Sequence, residues 1–280
     1  MGPLAHNPLD FDPQALGLVK ASGLQRTIGA SLDRVWENVA DWEHLPWLHS
    51  SNFSGAELQD AGDWGWRIAL QSGASSSTIE LVMDRPNNHY VARTLQGSLQ
   101  GMEIWTTLAP KGDHQTDIDV VFHVPAMAES TLQKVGTALV SSYQTLWDED
   151  EAMMATRQAY LDGLPSQNLT EAQNLSETHN LGTVESLRPQ LPMRVQHNGH
   201  GVQIAEVDGQ IVAYAASCPH MGGPIGDCAI EGGIITCPWH GYQFNVTKGT
   251  SPNSSWSLPK RVHLQVDEAT GQVTLSGPTG

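Results

Sequence analysis

The chain has 280 residues, with 14 Lys and Arg against 30 Asp and Glu, a formal net charge of -16. That length suffices for two domains whose cores need no disulfide staples, and three cysteines do not make a secreted disulfide framework. The acidic balance argues against nucleic acid or an anionic membrane as partner, and suits a redox partner with a basic patch.

Residues 1–20 read as an irregular arm with no basic start and no apolar stretch of signal length. No run reaches the length of a membrane span, so the expected location is the cytoplasm. "LQRTIGA" then reads as a strand, and "SLDRVWENVADWEHL" as one helix capped by Ser31 and ended or kinked by Pro46. Six short alternating segments follow, around 53–59, 64–71, 76–83, 88–96, 100–109 and 115–124, separated by turn residues; they predict an antiparallel sheet. From Ala126 to about Leu161 a helical pattern runs with no Pro and one Gly.

Residues 163–190 are polar and turn-rich and read as a linker, in which "TEAQNLSE" suits a short helix. Short strands return from about Leu191. The expected partition is an arm at 1–20, a first domain at 21–162, the linker, and a second domain at 191–280. The class is α+β.

Two matched stretches interrupt the second domain: "CPHMGGPIGD" from Cys218 and "CPWHGYQF" from Cys237. Cys218 and His220 are two apart, Cys237 and His240 three apart, with sixteen residues between the pairs. Two thiolates and two imidazoles leave zinc and an iron–sulfur cluster as candidates. A Cys2His2 zinc finger keeps its cysteines in one arm and its histidines in the other. Here each arm carries one of each, which suits a binuclear cluster with both thiolates on one iron and both imidazoles on the other. Pro and Gly beside the ligands let both loops turn tightly around the sulfurs.

These residues resemble the Rieske [2Fe-2S] family, whose signature Cys-x-His…Cys-x-x-His they match in type, spacing and flanking Pro and Gly. The resemblance implies a [2Fe-2S] cluster and an all-β domain. High-potential members carry a loop-linking disulfide and tend to place a serine where this chain has Tyr242. Only Cys228 is left over, and it reads as a buried small hydrophobe, so the lower end of the Rieske potential range is expected.

The order of strand, helix, six antiparallel strands and one long C-terminal helix resembles the START-like helix-grip fold, whose sheet wraps the long helix around an apolar cavity. Trp42, Trp47, Trp64, Trp66, Trp105 and Trp147 are candidates for that pocket or for subunit contacts, though each reads first as plain core. "Asp41-Trp-Glu-His44-Leu-Pro-Trp-Leu-His49" further resembles the Asp-x-x-His-x4-His stretch of Rieske non-haem iron oxygenases, the terminal components of their systems. A break at Pro46 would let His44 and His49 turn to one point. On the long helix, Asp150 shares a face with Val135, Leu139, Tyr143 and Leu146, while Asp148 and Glu149 turn away from its centre. A carboxylate on an apolar face is costly unless paired or bound to a metal.

The resemblance therefore implies a mononuclear Fe(II) held by His44, His49 and Asp150, with Asp41 as a bridging catalytic residue beside it and Asn38 in reach of that bridge. It also implies O2, an apolar or aromatic substrate, a separate ferredoxin or reductase as electron donor, and a homotrimer. The domain order is reversed relative to typical oxygenase subunits. The alternative is a non-enzymatic fusion of a Rieske electron carrier with a hydrophobe-binding helix-grip domain.

Overall fold

The structure is a computed structural model and describes residues 16–163, 174–175, 178–197, 199–260 and 262–277. Most of the arm, and most of the proposed short helix around "TEAQNLSE", lie outside these residues. The chain divides into two compact units, residues 1–155 and 156–280. Among the described residues no helix is long and apolar enough to cross a membrane.

The first unit opens with β1 (Leu18–Ile28), α1 (Leu32–Ala40) and the one-turn helix α2 (Leu45–Leu48). β2 (Gly55–Gly62), β3 (Gly65–Ser72), β4 (Ser75–Asp84), β5 (His89–Gln96), β6 (Glu103–Gly112) and β7 (Gln115–Pro125) lead to α3 (Glu129–Leu161). The strands form one antiparallel sheet in the order β1-β7-β6-β5-β4-β3-β2. This is the helix-grip arrangement. Ile28, Ile68, Leu81, Tyr90 and Leu108 from the sheet pack with Val35 and Trp36 of α1 and with Trp147 and Met154 of α3.

Close approach of α3 to the sheet depends on one residue. Gly136, the single glycine of this helix, sits against β1 where its register shifts between Lys20 and Ser22. A Cβ there would lie 2.6 Å from the Ala21 carbonyl oxygen. Gly136 returns its own carbonyl to the Ser22 hydroxyl at 3.1 Å.

A row of charged side chains and one histidine crosses all seven strands on the face opposite Trp66, Ile68, Leu81 and Tyr90, as the two-residue alternation requires. Cα pairing sets Asp60 against Arg67, Arg67 against Glu80, Glu80 against Arg93 and Arg93 against Glu103. His123 and Lys20 complete the row. Glu80 is fully buried and accepts from Arg67 at 2.5 Å and from Arg93 at 3.5 Å; Arg93 also donates to Glu103 at 2.8 Å.

The expected single helix over 31–45 is two helices. Ser31 caps α1 by accepting from the Arg34 N–H, but α1 ends at Ala40, five residues before Pro46 and its neighbours begin α2. The cause is Asp41, which is extended and whose Oδ1 accepts from the Glu43 N–H at 3.1 Å. A short polar side chain that binds the backbone two residues on competes with helix continuation. Pro46 then lies in the first turn of α2, where its missing N–H costs nothing.

The second unit is almost wholly β. It comprises β8 (Asn174–Leu175), β9 (His179–Thr183), α4 (Val184–Leu187), β10 (Met193–His197), β11 (His200–Val207), β12 (Gln210–Ala215), β13 (Ile234–Thr236), β14 (Gln243–Asn245), β15 (His263–Val266) and β16 (Gln272–Ser276). These make three small sheets, β12-β11-β10-β8, β13-β14 and β15-β16-β9. Val195, Val202, Ile204 and Leu275 form its core. Here the linker reading needs correction: residues 179–190 are folded. β9 pairs with β16, and Thr183 and Ser186 form a reciprocal capping box that starts α4.

Candidate metal centres

The two Cys/His loops repeat one hydrogen-bond pattern. Cys218 N–H donates to Gly223 O at 2.8 Å and receives Gly222 N–H on its own carbonyl at 2.9 Å. Cys237 N–H donates to Tyr242 O at 2.8 Å and receives Gly241 N–H at 2.9 Å. The fourth residue after each cysteine must therefore close a tight turn, and both positions are glycines with positive φ, +84° at Gly222 and +67° at Gly241. The second loop joins β13 to β14; the first follows β12.

The pattern brings all four side chains together. Cys218 and Cys237 are buried and share a hydrogen bond, which draws the Cys218 thiol down and pushes Cys237 up. Backbone N–H groups of His220 and Met221 point at the Cys218 sulfur, and that of Trp239 at Cys237. The rings of His220 and His240 meet edge to face with centroids 4.7 Å apart. A Cβ on Gly223 would come within 2.8 Å of the Cys237 sulfur, so glycine there keeps the space beside that sulfur open. Donor set, N–H groups and space suit an iron–sulfur cluster. Cys228 stands apart, half-buried, its thiol pushed up to about 11 mainly by burial.

The first unit holds a second cluster of ligand-type side chains. His44 and His49 flank the four residues of α2, and His44 O accepts from Leu48 N–H while His49 O accepts from Phe53 N–H. One turn between them overcomes a spacing of five and sets the rings 5.1 Å apart at 75°. Asp150 of α3 meets them: its Oδ1 is 3.1 Å from His49 Nε2 and 3.5 Å from His44 Nε2. One donor atom from each residue lies within 4.8 Å of the others, and all three residues are buried. Metal bonds of about 2.1 Å at right angles would set neighbouring donors about 3 Å apart, close to the two separations found.

Supporting groups surround this trio. Asn38 Nδ2 donates to Asp150 Oδ1 at 2.9 Å. Asp41 Oδ2 lies 3.5 Å from His44 Nδ1. Glu149 was expected to turn away, yet its Oε2 accepts from His49 Nδ1 at 2.6 Å. Burial pulls the His49 pKa down, but hydrogen bonds and charge from Asp150 and Glu149 outweigh it and the net shift is upward.

The four consecutive carboxylates of α3 thus divide by helix angle. Asp148 and Glu151 both serve Arg26, and Glu151 also accepts from Gly29 N–H; Glu149 and Asp150 serve the histidines. Residues three apart lie about 60° apart around a helix, those next to each other about 100°.

A cavity of about 260 Å³ opens beside Asp41, His44 and Asp150, walled mainly by Leu81, Tyr90, Ile104, Leu139 and Leu146. Trp66 and Trp147 line it while belonging to the core cluster of the first unit. Trp47 is instead exposed, and Trp105 donates to Glu103 in the charged row.

The family model of the Rieske [2Fe-2S] domain matches residues 177–255. Ferredoxin CarAc of Metapseudomonas resinovorans is 30% identical over 74 residues, which are 26% of this chain and 68% of that protein. Among solved structures, the ferredoxin of carbazole 1,9a-dioxygenase from Nocardioides aromaticivorans IC177 is 19% identical, with a TM-score of 0.31, over 37% of this chain and all of that one. The Zhui aromatase/cyclase from Streptomyces sp. R1128 is 13% identical with a TM-score of 0.44, over 50% of this chain and 96% of its own. A Rieske domain transfers electrons through a [2Fe-2S] cluster. Through its C-terminal residues this chain belongs to the Rieske [2Fe-2S] family.

Proposed function

We propose that the chain is an O2-dependent oxygenase in which Cys218, His220, Cys237 and His240 hold the [2Fe-2S] cluster, and His44, His49 and Asp150 hold a mononuclear iron. One observation supports the reading above the rest: two buried imidazoles and a buried carboxylate converge beside an apolar cavity, in a chain that also carries a Rieske domain. When bound, iron in a two-histidine, one-carboxylate site supplies O2 activation. The protein's share is orientation and exclusion. Asp150 brings negative charge into a buried place, where a divalent cation offsets its desolvation. Asp41, held by its backbone turn, faces His44 Nδ1 and is placed to fix that ring. Electrons come from a separate ferredoxin or reductase, and the assembly is a homotrimer.

The cavity sets the substrate class. A dry cavity of about 150 Å³ accommodates benzene, so one of about 260 Å³ suits one or two rings. Arg93 lines it, but its guanidinium is turned to Glu103 and Glu80, while Asp41 and Asp150 bring negative charge. These carboxylates disfavour an anion and the walls are apolar, so on this reading the substrate is an apolar or aromatic molecule, hydroxylated or demethylated.

Iron and sulfide analysis of fully loaded protein tests the reading. About three irons and two acid-labile sulfides per chain are expected. Two irons with two sulfides would reject the oxygenase and leave an electron carrier fused to a hydrophobe binder.

A further inference from the structure

We propose that Glu149 is a positioning residue for the mononuclear metal: it holds the His49 ring in the tautomer and orientation that present Nε2 to the ion. The proposal rests on the metal reading of His44, His49 and Asp150.

The geometry is direct. Glu149 Oε2 is 2.6 Å from His49 Nδ1, and His49 Nε2 faces Asp150 Oδ1 at 3.1 Å. A neutral imidazole carries one N–H. With that hydrogen on Nδ1 and donated to a carboxylate, the lone pair is left on Nε2, the nitrogen that faces Asp150. A carboxylate on the outer nitrogen also raises the basicity of the inner one. His49 is 1% exposed, so Glu149 and not solvent meets its Nδ1 in the folded protein.

Placement on α3 adds a second effect. Glu149 and Asp150 are adjacent on one turn, so the same short stretch of helix supplies one ligand and orients another. His44 is backed by Asp41 from its own segment, five residues from His49 in sequence. Each imidazole thus has its own carboxylate, and together with Asp150 three negative charges surround a divalent ion. A salt bridge serving only to pin α3 to α2 would use the same contact, so the test must read the metal.

Co(II) is titrated into the full-length, cluster-bearing protein prepared without other mononuclear metal, and the Co(II) visible bands and affinity are followed. Glu149→Ala is expected to weaken Co(II) about 10- to 100-fold and shift the bands, with the Rieske spectrum unchanged. Glu149→Gln, whose amide oxygen accepts the same hydrogen bond without the charge, should fall between. Asp148→Asn, on the neighbouring residue bonded to Arg26, should match wild type. Wild-type affinity and bands in Glu149→Ala would overturn the proposal. So would a loss of affinity that Gln does not rescue and that tracks a fall in thermal stability. A wild-type protein that takes up no Co(II) at all would overturn the metal reading, and this proposal with it.

Discussion

The two candidate centres are assembled in opposite ways. The cysteines and histidines of the second unit come from two short loops with the same internal hydrogen bonds, so each loop fixes its own pair of side chains. The trio of the first unit joins α2 to α3 across about a hundred residues, and its donors meet only when α3 is seated on the sheet. A centre built from local turns depends on glycines. A centre built from distant elements depends on everything that seats those elements.

The sharpest test of this contrast is Cys237→Ala. It removes one of two buried thiolates and should abolish the visible iron–sulfur absorbance, because water does not replace a thiolate that ties the cluster to the protein. Full retention of the spectrum would reject the assignment, and Cys228→Ala should leave it intact. Next, on the proposed oxygenase reading, comes Asp150→Ala, which should strip the mononuclear iron and reduce product formation below detection while the Rieske spectrum persists. Asp148→Ala should keep both, since that side chain is 69% exposed and bonds Arg26. Iron content of the two variants side by side decides it.

Damage to the sheet should separate the two centres more gently. Glu80→Ala leaves Arg67 and Arg93 without the carboxylate between them, an error expected to cost about 3–5 kcal/mol. Thermal unfolding should show the first unit melting earlier and its iron lost sooner, with the cluster spectrum outlasting both. Simultaneous loss would break the contrast. The smallest effect is pH dependence. Burial lowers the pKa of His89 against the opposing charge of Asp84, and that of His123 between Glu103 and Lys20. The unfolded chain then binds more protons below the ordinary histidine range, so stability should fall as pH drops from neutrality through about 6.5 and below. A His89→Gln, His123→Gln double variant should flatten that slope; an unchanged slope would mean that other groups carry it.

What the sequence revealed follows the same division. Two loops with matched ligands and glycines are a local pattern, and the seven strands and long helix alternate or repeat clearly enough to place. Asp150 was legible from the apolar face it shares with Leu139 and Leu146. Glu149 was not, because it lies beside that face and a long side chain can reach back across the angle. The break after Ala40 was hidden because Pro46 is the louder signal, while Asp41 ends the helix with its own side chain. Residues 179–183 looked like linker because their partner, β16, lies about ninety residues further on.

The charged row across the sheet limits how this fold can go wrong. Side chains on one face recur every two residues, so a strand can slide by two and still turn its apolar residues inward. A slide of β4 by two would put Thr78 or Val82 between Arg67 and Arg93, so both guanidiniums would lose the buried carboxylate they share. Misaligned sheets that hydrophobicity alone would tolerate are thereby rejected. Leu81 and Ala92, the cavity-wall neighbours of Glu80 and Arg93, are held to one alignment, so charge pairs on the far face act as proofreaders for the shape of the cavity.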